Sequence, residues 1–326
     1  MEEKNIRNKS NRMASILITG GTGFVGMKLS KALLERGNQV VLFDILEPQE
    51  GGKEGVKATF IKGNLSNFAE VYNAVKDWKI EHIFHLAGML VPQCEANPWA
   101  AFQANGLGTY YILEASRLFG VKKVIFPSTM GVYENPPDGL ADDDTIQRPQ
   151  SMYGVLKSFS ELLGLYYHRK FGIDFRGVRF PNLVGPGTRT QGAGQYTAKM
   201  IESAIRGIPF EPWVAKETSL PMMYVKDAVR SLLELFDADE SRIKTRIYNI
   251  GQISPLLTAG DLLEEIKKHF PKVSITFKPD LKLLENISVM PKQLNNEKAR
   301  AEWGWSVRYG LKEMVEDFIK EFNRSQ

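Results

Sequence analysis

SILITGGTGFVG (Ser15–Gly26) passes from a β-branched apolar run straight into a turn carrying Gly20, Gly23 and Gly26, and continues into an amphipathic stretch over Phe24–Arg36. The apolar run predicts a strand, and the 3.6-residue period of the amphipathic stretch predicts a helix. Glycines at such a turn let the backbone bend tightly and come close to a pyrophosphate. The free amides and dipole of the helix N-terminus favour the negative charge of that group. Three glycines alone are weak evidence, because a tight strand-to-helix turn can need them for its own sake. A strand before and a helix after are the context that a dinucleotide-binding turn requires.

Reading outward, the same alternation repeats. QVVLFD (Gln39–Asp44), ATFIKG, HIFHLAG and KKVIFPST read as further strands, separated by helical patterns around Ala69–Lys76 and Trp99–Phe119; a sixth strand is predicted at Asp174–Phe180. Strands alternating with helices predict a parallel sheet covered on both faces. Asp44 closes the second strand, 18 residues after Gly26. A carboxylate there accepts hydrogen bonds from adenosine ribose hydroxyls and repels a 2′-phosphate, so NAD is favoured over NADP. A turn aspartate at a strand end is the alternative. After Pro181 the texture changes: a Gly-rich loop, Gly185–Gln195, has the length of a binding loop or lid. Helices are expected at Tyr196–Arg206, Val225–Phe236, Ala259–His269 and Leu311–Phe322, and Thr245–Gly251 reads as a strand rejoining the sheet. The expected organisation is a disordered tail over residues 1–14 and a nucleotide-binding part over 15–181, rejoined near 245–251. A smaller, interleaved α-rich substrate domain spans 182–244 and 252–326.

Composition narrows the function. The 326 residues carry a net charge of +4, of which the polar tail Met1–Arg12 supplies +2, so the body is nearly neutral and has no nucleic-acid footprint. Apolar residues make up 43%, close to the globular average, which excludes a fibrous or wholly disordered chain. Cys94 is the single cysteine, so an intrachain disulfide and a cysteine metal site are both excluded. His82, His85, His168 and His269 lack the spacing with carboxylates that suggests zinc, and no metal is expected. His85, inside an apolar run, reads as a packed, hydrogen-bonded core histidine. No apolar run approaches the roughly 18 residues of a membrane span. A reducing compartment, the cytoplasm, is the expected location.

The catalytic signal is Tyr153-Gly-Val-Leu-Lys157. On a helix, residues i and i+4 share a face, so an ammonium there stands near the phenol and is expected to lower its pKa from about 10. A phenol so tuned acts as a general base near neutral pH. Spacing alone proves little, since about one such pair is expected by chance in a chain this rich in Tyr and Lys. Tyr72–Lys76 and Tyr166–Lys170 are two further pairs and read as helix-surface or packing contacts. Position separates Tyr153 from them: it opens its helix after a Pro-rich acidic loop, downstream of the strand that ends in Ser128-Thr129.

GGTGFVG, Asp44, HLAG (Leu86–Gly88), Ser128-Thr129 and YGVLK occur in an order that resembles the extended short-chain dehydrogenase/reductase superfamily, of the NAD-dependent epimerase/dehydratase type. The resemblance covers nearly the whole chain after the tail. It implies a doubly wound Rossmann sheet of about seven strands with a C-terminal substrate domain. It also implies that Tyr153 is the acid/base, that Lys157 holds the nicotinamide ribose and tunes Tyr153, and that Thr129 orients the substrate hydroxyl, with Ser128 the neighbouring candidate. NAD contacts are implied at Gly20, Gly23, Phe24, Val25, Gly26 and Asp44. Further contacts are implied at Asn64, Leu65, Leu86, Ala87, Gly88, Asn105 and Pro181, beside Tyr153 and Lys157. The family usually has Asp at position 64, contacting the adenine amino group; Asn64 keeps one carbonyl acceptor for it.

Within the superfamily, TSLPMMYVKDAV (Thr218–Val229), KFGIDFRGVRFP and ARAEWGW (Ala299–Trp305) look like the NAD-dependent L-threonine 3-dehydrogenases. Nucleotide-sugar epimerases usually place an arginine near Leu220–Met222 to clamp a diphosphate, which Leu220, Pro221, Met222 and Met223 cannot replace. Other features depart from threonine dehydrogenases. Leu90-Val91-Pro92-Gln93 stands where they carry a Ser-Ala pair, and Gly192-Ala193-Gly194-Gln195 where they carry Gly-Thr-Thr. Asn182 and the following GPG look more like the sugar-nucleotide enzymes. Met89, Leu90, Val91, Met130 and Met222 are candidates to line an apolar substrate pocket, or equally core filler. The expected activity is oxidation of a small secondary alcohol, L-threonine first, giving 2-amino-3-ketobutyrate. A UDP-glucose-type 4-epimerase that retains NAD is the alternative, and a non-catalytic NAD sensor a third. On an ideal wheel, the apolar residues of the helix over residues 153–171 span roughly 200°, wider than one core contact needs. With the nearly all-apolar Trp99–Phe119 segment, this predicts pairing of both helices across a homodimer.

Overall fold

The computed structural model describes residues 14–48, 58–188 and 192–324. Residues 1–13 of the tail, and residues 189–191 of the Gly-rich loop read as a binding loop or lid, lie outside the described residues. Among the described residues eleven strands form: β1 (Ser15–Thr19), β2 (Gln39–Asp44), β3 (Thr59–Lys62), β4 (His82–His85), β5 (Lys123–Thr129), β6 (Leu140–Ala141), β7 (Asp174–Phe180), β8 (Asn182–Val184), β9 (Met222–Tyr224), β10 (Ile247–Asn249) and β11 (Gln293–Leu294). Seven of them make one all-parallel sheet in the order β10-β7-β5-β4-β1-β2-β3. The chain reverses its direction of travel across the sheet between β1 and β4, the switch point where open parallel sheets bind ligands.

The helices are α1 (Phe24–Glu35), α2 (Phe68–Asp77), α3 (Val91–Ala96), α4 (Pro98–Ala101), α5 (Gly108–Phe119), α6 (Met152–Phe171), α7 (Tyr196–Arg206), α8 (Val225–Asp237), α9 (Ala259–His269), α10 (Leu281–Ser288), α11 (Glu297–Trp303) and α12 (Leu311–Arg324). Alternation along each strand divides the core. Ile16, Ile18, Val40 and Leu42 point to the layer of α1 and α8. Leu17, Val41, Ile83 and Val124 point to the layer of α2 and α5. Strands buried on both faces read as continuous apolar runs, which is why SILIT and QVVLFD show no polar alternation.

Two differences from the sequence reading matter for the site. The Trp99–Phe119 segment is not one helix: α4 and α5 are joined by a π-helical turn over Phe102–Leu107. Glycines permit the close packing there, since a Cβ on Gly106 would lie 2.9 Å from the Phe102 ring and one on Gly108 2.9 Å from Leu65. The short parallel pairs β8–β9 and β6–β11 were also not legible from the sequence, being two or three residues long. A separate core gathers Val184, Tyr196, Met222, Leu262 and Phe318 under the C-terminal helices. Among the described residues no helix is long and apolar enough to cross a membrane, and no group of three His, Cys, Asp or Glu is placed to hold a metal ion.

Candidate active site

The glycine turn is built as a cradle. Gly20 has φ +66, and a Cβ on it would lie 2.7 Å from the Ala87 nitrogen; a Cβ on Gly26 would lie 2.3 Å from the Gly20 carbonyl. Gly23 is the N-cap of α1 and has no side chain to occupy the space in front of the helix amides. Asp44 turns toward this cradle: its carboxylate accepts from the amides of Thr22 (3.2 Å) and Leu46 (3.2 Å). Phe24 reaches across to the GPG loop, where a Cβ on Gly185 would meet its ring at 2.8 Å. An N-terminal helix end without side chains in front of it, with an acid at the next strand end, fits a dinucleotide. Asn64 is exposed, and its Oδ1 accepts from the Ser66 amide at 2.9 Å, while Leu65 is buried behind it.

Behind the Leu86–Ala87–Gly88 loop lies a buried relay centred on His85. Thr19 Oγ1 accepts from the Ala87 amide (3.2 Å) and pairs with His85 Nδ1 (2.8 Å). His85 Nε2 pairs with Thr109 Oγ1 (3.1 Å), which donates to the Asn105 carbonyl (2.6 Å). Because Thr109 donates onward, the chain is consistent only with His85 protonated at Nε2. Burial, reinforced by Lys157, pushes the imidazole pKa down to about 3, so His85 is the neutral core histidine its setting predicts. Asn105, in the π-helical turn, clamps the Met89 backbone with both ends of its amide (2.7 and 2.9 Å). The relay thus ties the loop after β4 to α5.

Tyr153 and Lys157 occupy the first turns of α6. Ser151 caps this helix, its Oγ accepting from the Gly154 amide at 3.1 Å. A Cβ on Gly154 would lie 2.4 Å from the Gly131 carbonyl, so the helix start abuts the turn that comes after Thr129. Thr129 Oγ1 accepts from the Gly131 amide (3.1 Å), and the neighbouring Ser128 Oγ is buried without a hydrogen-bond partner among the described residues. Lys157 Nζ donates to the Pro127 carbonyl at 2.7 Å, lies 4.4 Å from the Phe126 ring centre and 5.7 Å from that of Tyr153. The expected lowering of the phenol is corrected by this geometry: burial, with Cys94 close by, pushes the Tyr153 pKa upward. Lys157 is itself buried, and burial pulls it down to about 8, against the opposing pull of the Glu161 carboxylate.

On the other side of the site, β8 and β9 set Asn182 beside Met222, and the Asn182 amide donates to the Pro221 carbonyl at 3.0 Å. Asn182 Nδ2 donates to the Gly194 carbonyl (3.1 Å), tying half-buried Asn182, next to buried Pro181, to the Gly-rich loop. Met130 and Met222 are filler in the C-terminal core, whereas Met89 packs with Cys94, Leu156 and Tyr153. Leu90 and Val91 open α3, and Val91 faces outward. Tyr72–Lys76 and Tyr166–Lys170 lie on helix surfaces away from this assembly; Tyr72 stacks in an aromatic group with Phe68 and Phe119. A recess of about 370 Å³ beside α8 and α11 holds none of the residues above, and its Arg230 and Arg308 are paired with acids. Sequence reasoning missed the buried pair Glu161 and Arg179, joined by half-buried Gln147, farther along α6 from Lys157. The i+4 spacing of Glu161 from Lys157 was the available signal.

Residues 16–251 match the model of the NAD dependent epimerase/dehydratase family. The mitochondrial L-threonine 3-dehydrogenase of Bos taurus is 31% identical over 304 residues, covering 92% of this chain and 80% of that protein. The structure of L-threonine dehydrogenase from Phytophthora infestans superposes with a TM-score of 0.88 at 30% identity, covering 96% of this chain and 100% of that one. UDP-glucose 4-epimerase from Thermotoga maritima, solved with UDP-glucose, gives 0.81 at 25% identity, covering 95% and 99%. With its seven-stranded sheet, glycine cradle and Tyr–Lys pair, the chain belongs to the NAD dependent epimerase/dehydratase family of extended short-chain dehydrogenases/reductases, and its cofactor is NAD.

Proposed function

We propose that the protein is an NAD-dependent dehydrogenase of a small secondary alcohol, with L-threonine, oxidised to 2-amino-3-ketobutyrate, as the leading substrate. The observation that carries this is the Tyr153–Lys157 pair on the first turns of α6, locked by Gly154 against the end of β5 where Thr129 stands. NAD, held by the Gly20–Gly26 cradle, Asp44, the Leu86–Gly88 loop and Lys157, supplies the hydride acceptor. Thr129, with Ser128 beside it, fixes the substrate hydroxyl, and Tyr153 takes its proton. Because burial pushes the phenol upward, Tyr153 holds its proton at rest. Its work as a base depends on positive charge gathered beside it, and Lys157 is the chain's own source. Residues 15–181, with the strand near 245–251, serve as the NAD-binding part; 182–244 and 252–326 serve the substrate.

The test is NADH formation from NAD and L-threonine, with simple 3-hydroxy acids and UDP-glucose in parallel. Saturable turnover of threonine establishes the reading. Turnover of another alcohol only moves the substrate, and bound NAD without net reduction in any arm supports epimerisation or a non-catalytic NAD sensor. The epimerase reading rests on Asn182 and the GPG loop. Against it, Leu220, Met222 and Met223 are buried in apolar cores, where no diphosphate can be clamped.

The reading includes a cytoplasmic homodimer. Val155, Phe159, Leu162 and Tyr166 form an outward apolar face of α6, with Trp99 and Tyr110 beside it; Trp99 and Leu162 are each 64% exposed. Such a face is costly to leave in water. Leu162→Glu is expected to convert a dimer to a monomer in sedimentation; an unchanged mass rejects this face.

A further inference from the structure

Behind the catalytic pair, α6 carries a charge that the proposed reaction does not touch. Glu161 lies one helical turn beyond Lys157 and is 1% exposed, while Lys157 is 8% exposed. Residues at i and i+4 lie on the same helix face, here the face packed on β5 and β7. Arg179 of β7 forks onto the Glu161 carboxylate through Nε (3.0 and 3.2 Å) and Nη2 (2.7 Å), and Gln147 Nε2 donates to the same group at 2.6 Å. On the far side of Arg179, the Tyr133 hydroxyl accepts from Nη1, and Asp143 lies 3.9 Å away.

A buried ion pair is a poor device for holding a helix on a sheet, because desolvating two charges offsets most of their attraction. An apolar pair of the same volume does as well or better. Lys157, by contrast, has a problem that a buried carboxylate answers. Its other partners are the neutral Pro127 carbonyl and the rings of Phe126 and Tyr153, and a buried ammonium without an opposite charge tends to lose its proton. The groups that face it are few: Tyr153 and Glu161 from α6, Cys94 from α3, His85 from β4, and the Phe126 ring with the Pro127 carbonyl from β5. Of these, His85 is held neutral by burial and the Cys94 thiol is pushed up to about 11, so neither brings charge near neutral pH.

We propose that Glu161 is a positioning residue for catalysis: its buried carboxylate, oriented by Arg179 and Gln147, keeps Lys157 in the ammonium form that Tyr153 needs. The inference deepens the reading of Tyr153 and Lys157 as the acid/base pair and rests on it. Burial alone pulls Lys157 down, and Glu161 is the foremost opposing influence, leaving it at about 8. Loss of the carboxylate therefore lowers the share of ammonium near neutral pH.

The test tracks the Lys157 Nζ resonance of ¹⁵N-lysine-labelled full-length protein through a pH titration, the signal being assigned by its disappearance in Lys157→Met. In Glu161→Gln the midpoint is expected to fall by about one pH unit or more, a roughly tenfold lower ratio of ammonium to amine at a fixed pH. Glu161→Asp should recover most of that fall. Because Glu161→Gln leaves Arg179 buried without its carboxylate, a Glu161→Met/Arg179→Met double variant serves as the well-packed control, and its Lys157 midpoint should also fall. In the threonine–NAD assay, the alkaline limb of kcat/KM should move to lower pH in step with the resonance. An unmoved midpoint in the folded double variant, with Lys157→Met inactive, overturns the proposal and leaves Glu161 a structural ion-pair partner. Full turnover in Lys157→Met overturns the site reading itself, and the proposal with it.

Discussion

On the nucleotide side of the active site, Gly20, Gly26 and Gly154 stand where a Cβ would strike backbone atoms at 2.3–2.7 Å, and His85 bridges two threonines in a closed hydrogen-bond chain. On the opposite side, Met130, Leu220 and Met222 fill an apolar core, and Asn182 Nδ2 donates to the Gly194 carbonyl and to Thr197 of α7. The first wall is specified by geometry that admits one residue type, and the second by volume that many residue types satisfy. Chemistry common to a family belongs on a wall of the first kind, and substrate choice drifts on a wall of the second.

The sharpest way to break this comparison is at the reacting atoms. Tyr153→Phe should lower turnover by about two to four orders of magnitude, with NAD affinity by calorimetry little changed; retained turnover removes Tyr153 from its role. Next in size, Gly26→Ala brings a methyl 2.3 Å from the Gly20 carbonyl. Overpacking of about 1–3 kcal/mol is expected there, weakening NAD binding by roughly five- to 150-fold.

His85→Leu tests the relay. It leaves the Thr19 and Thr109 hydroxyls without their shared partner, at a cost of about 1–3 kcal/mol in urea unfolding. The pH dependence sharpens the reading. The folded imidazole sits at about 3 against 6.5 in the free side chain. Between those values the unfolded chain binds a proton that the folded one does not, so stability falls as the pH drops from 6.5 toward 3. That part of the slope should vanish in the variant, while His82, lowered to about 4 by burial, keeps its own contribution.

The smallest effect is expected at the apolar start of α3. Leu90→Ser with Val91→Ala restores the hydroxyl of the threonine dehydrogenases, and the KM for L-threonine should drop by about two- to tenfold, the worth of one net hydrogen bond. A change as large as that of Gly26→Ala would mean that the start of α3 is as constrained as the glycine cradle.

The parallel sheet, its six leading strands and the helix carrying Tyr153 were legible in the chain, because a strand buried on both faces leaves a continuous apolar run and a helix leaves its period. So was the cradle, since a glycine turn between a strand and a helix is a local event. The π-helical turn was not: Phe102–Leu107 has no periodic signature, and its width is imposed by Leu65 and Leu156 packing on Gly108 and Gly106. The predicted lowering of the Tyr153 phenol failed for a related reason. Spacing reports that a lysine is near, but not how deeply both groups are buried, and burial decides the direction.

By itself the sequence determined what depends on neighbours along the chain: strand and helix periods, the glycine turn with Asp44 at the next strand end, and the shared face of Tyr153, Lys157 and Glu161. Only the tertiary structure decided what depends on distant residues meeting. It joined Arg179 to Glu161 across 18 positions, His85 to Thr19 across 66 and Asn182 to Thr197 across 15. Burial and hydrogen-bond partners are properties of packed surfaces, and no local pattern of residues encodes which surfaces will meet.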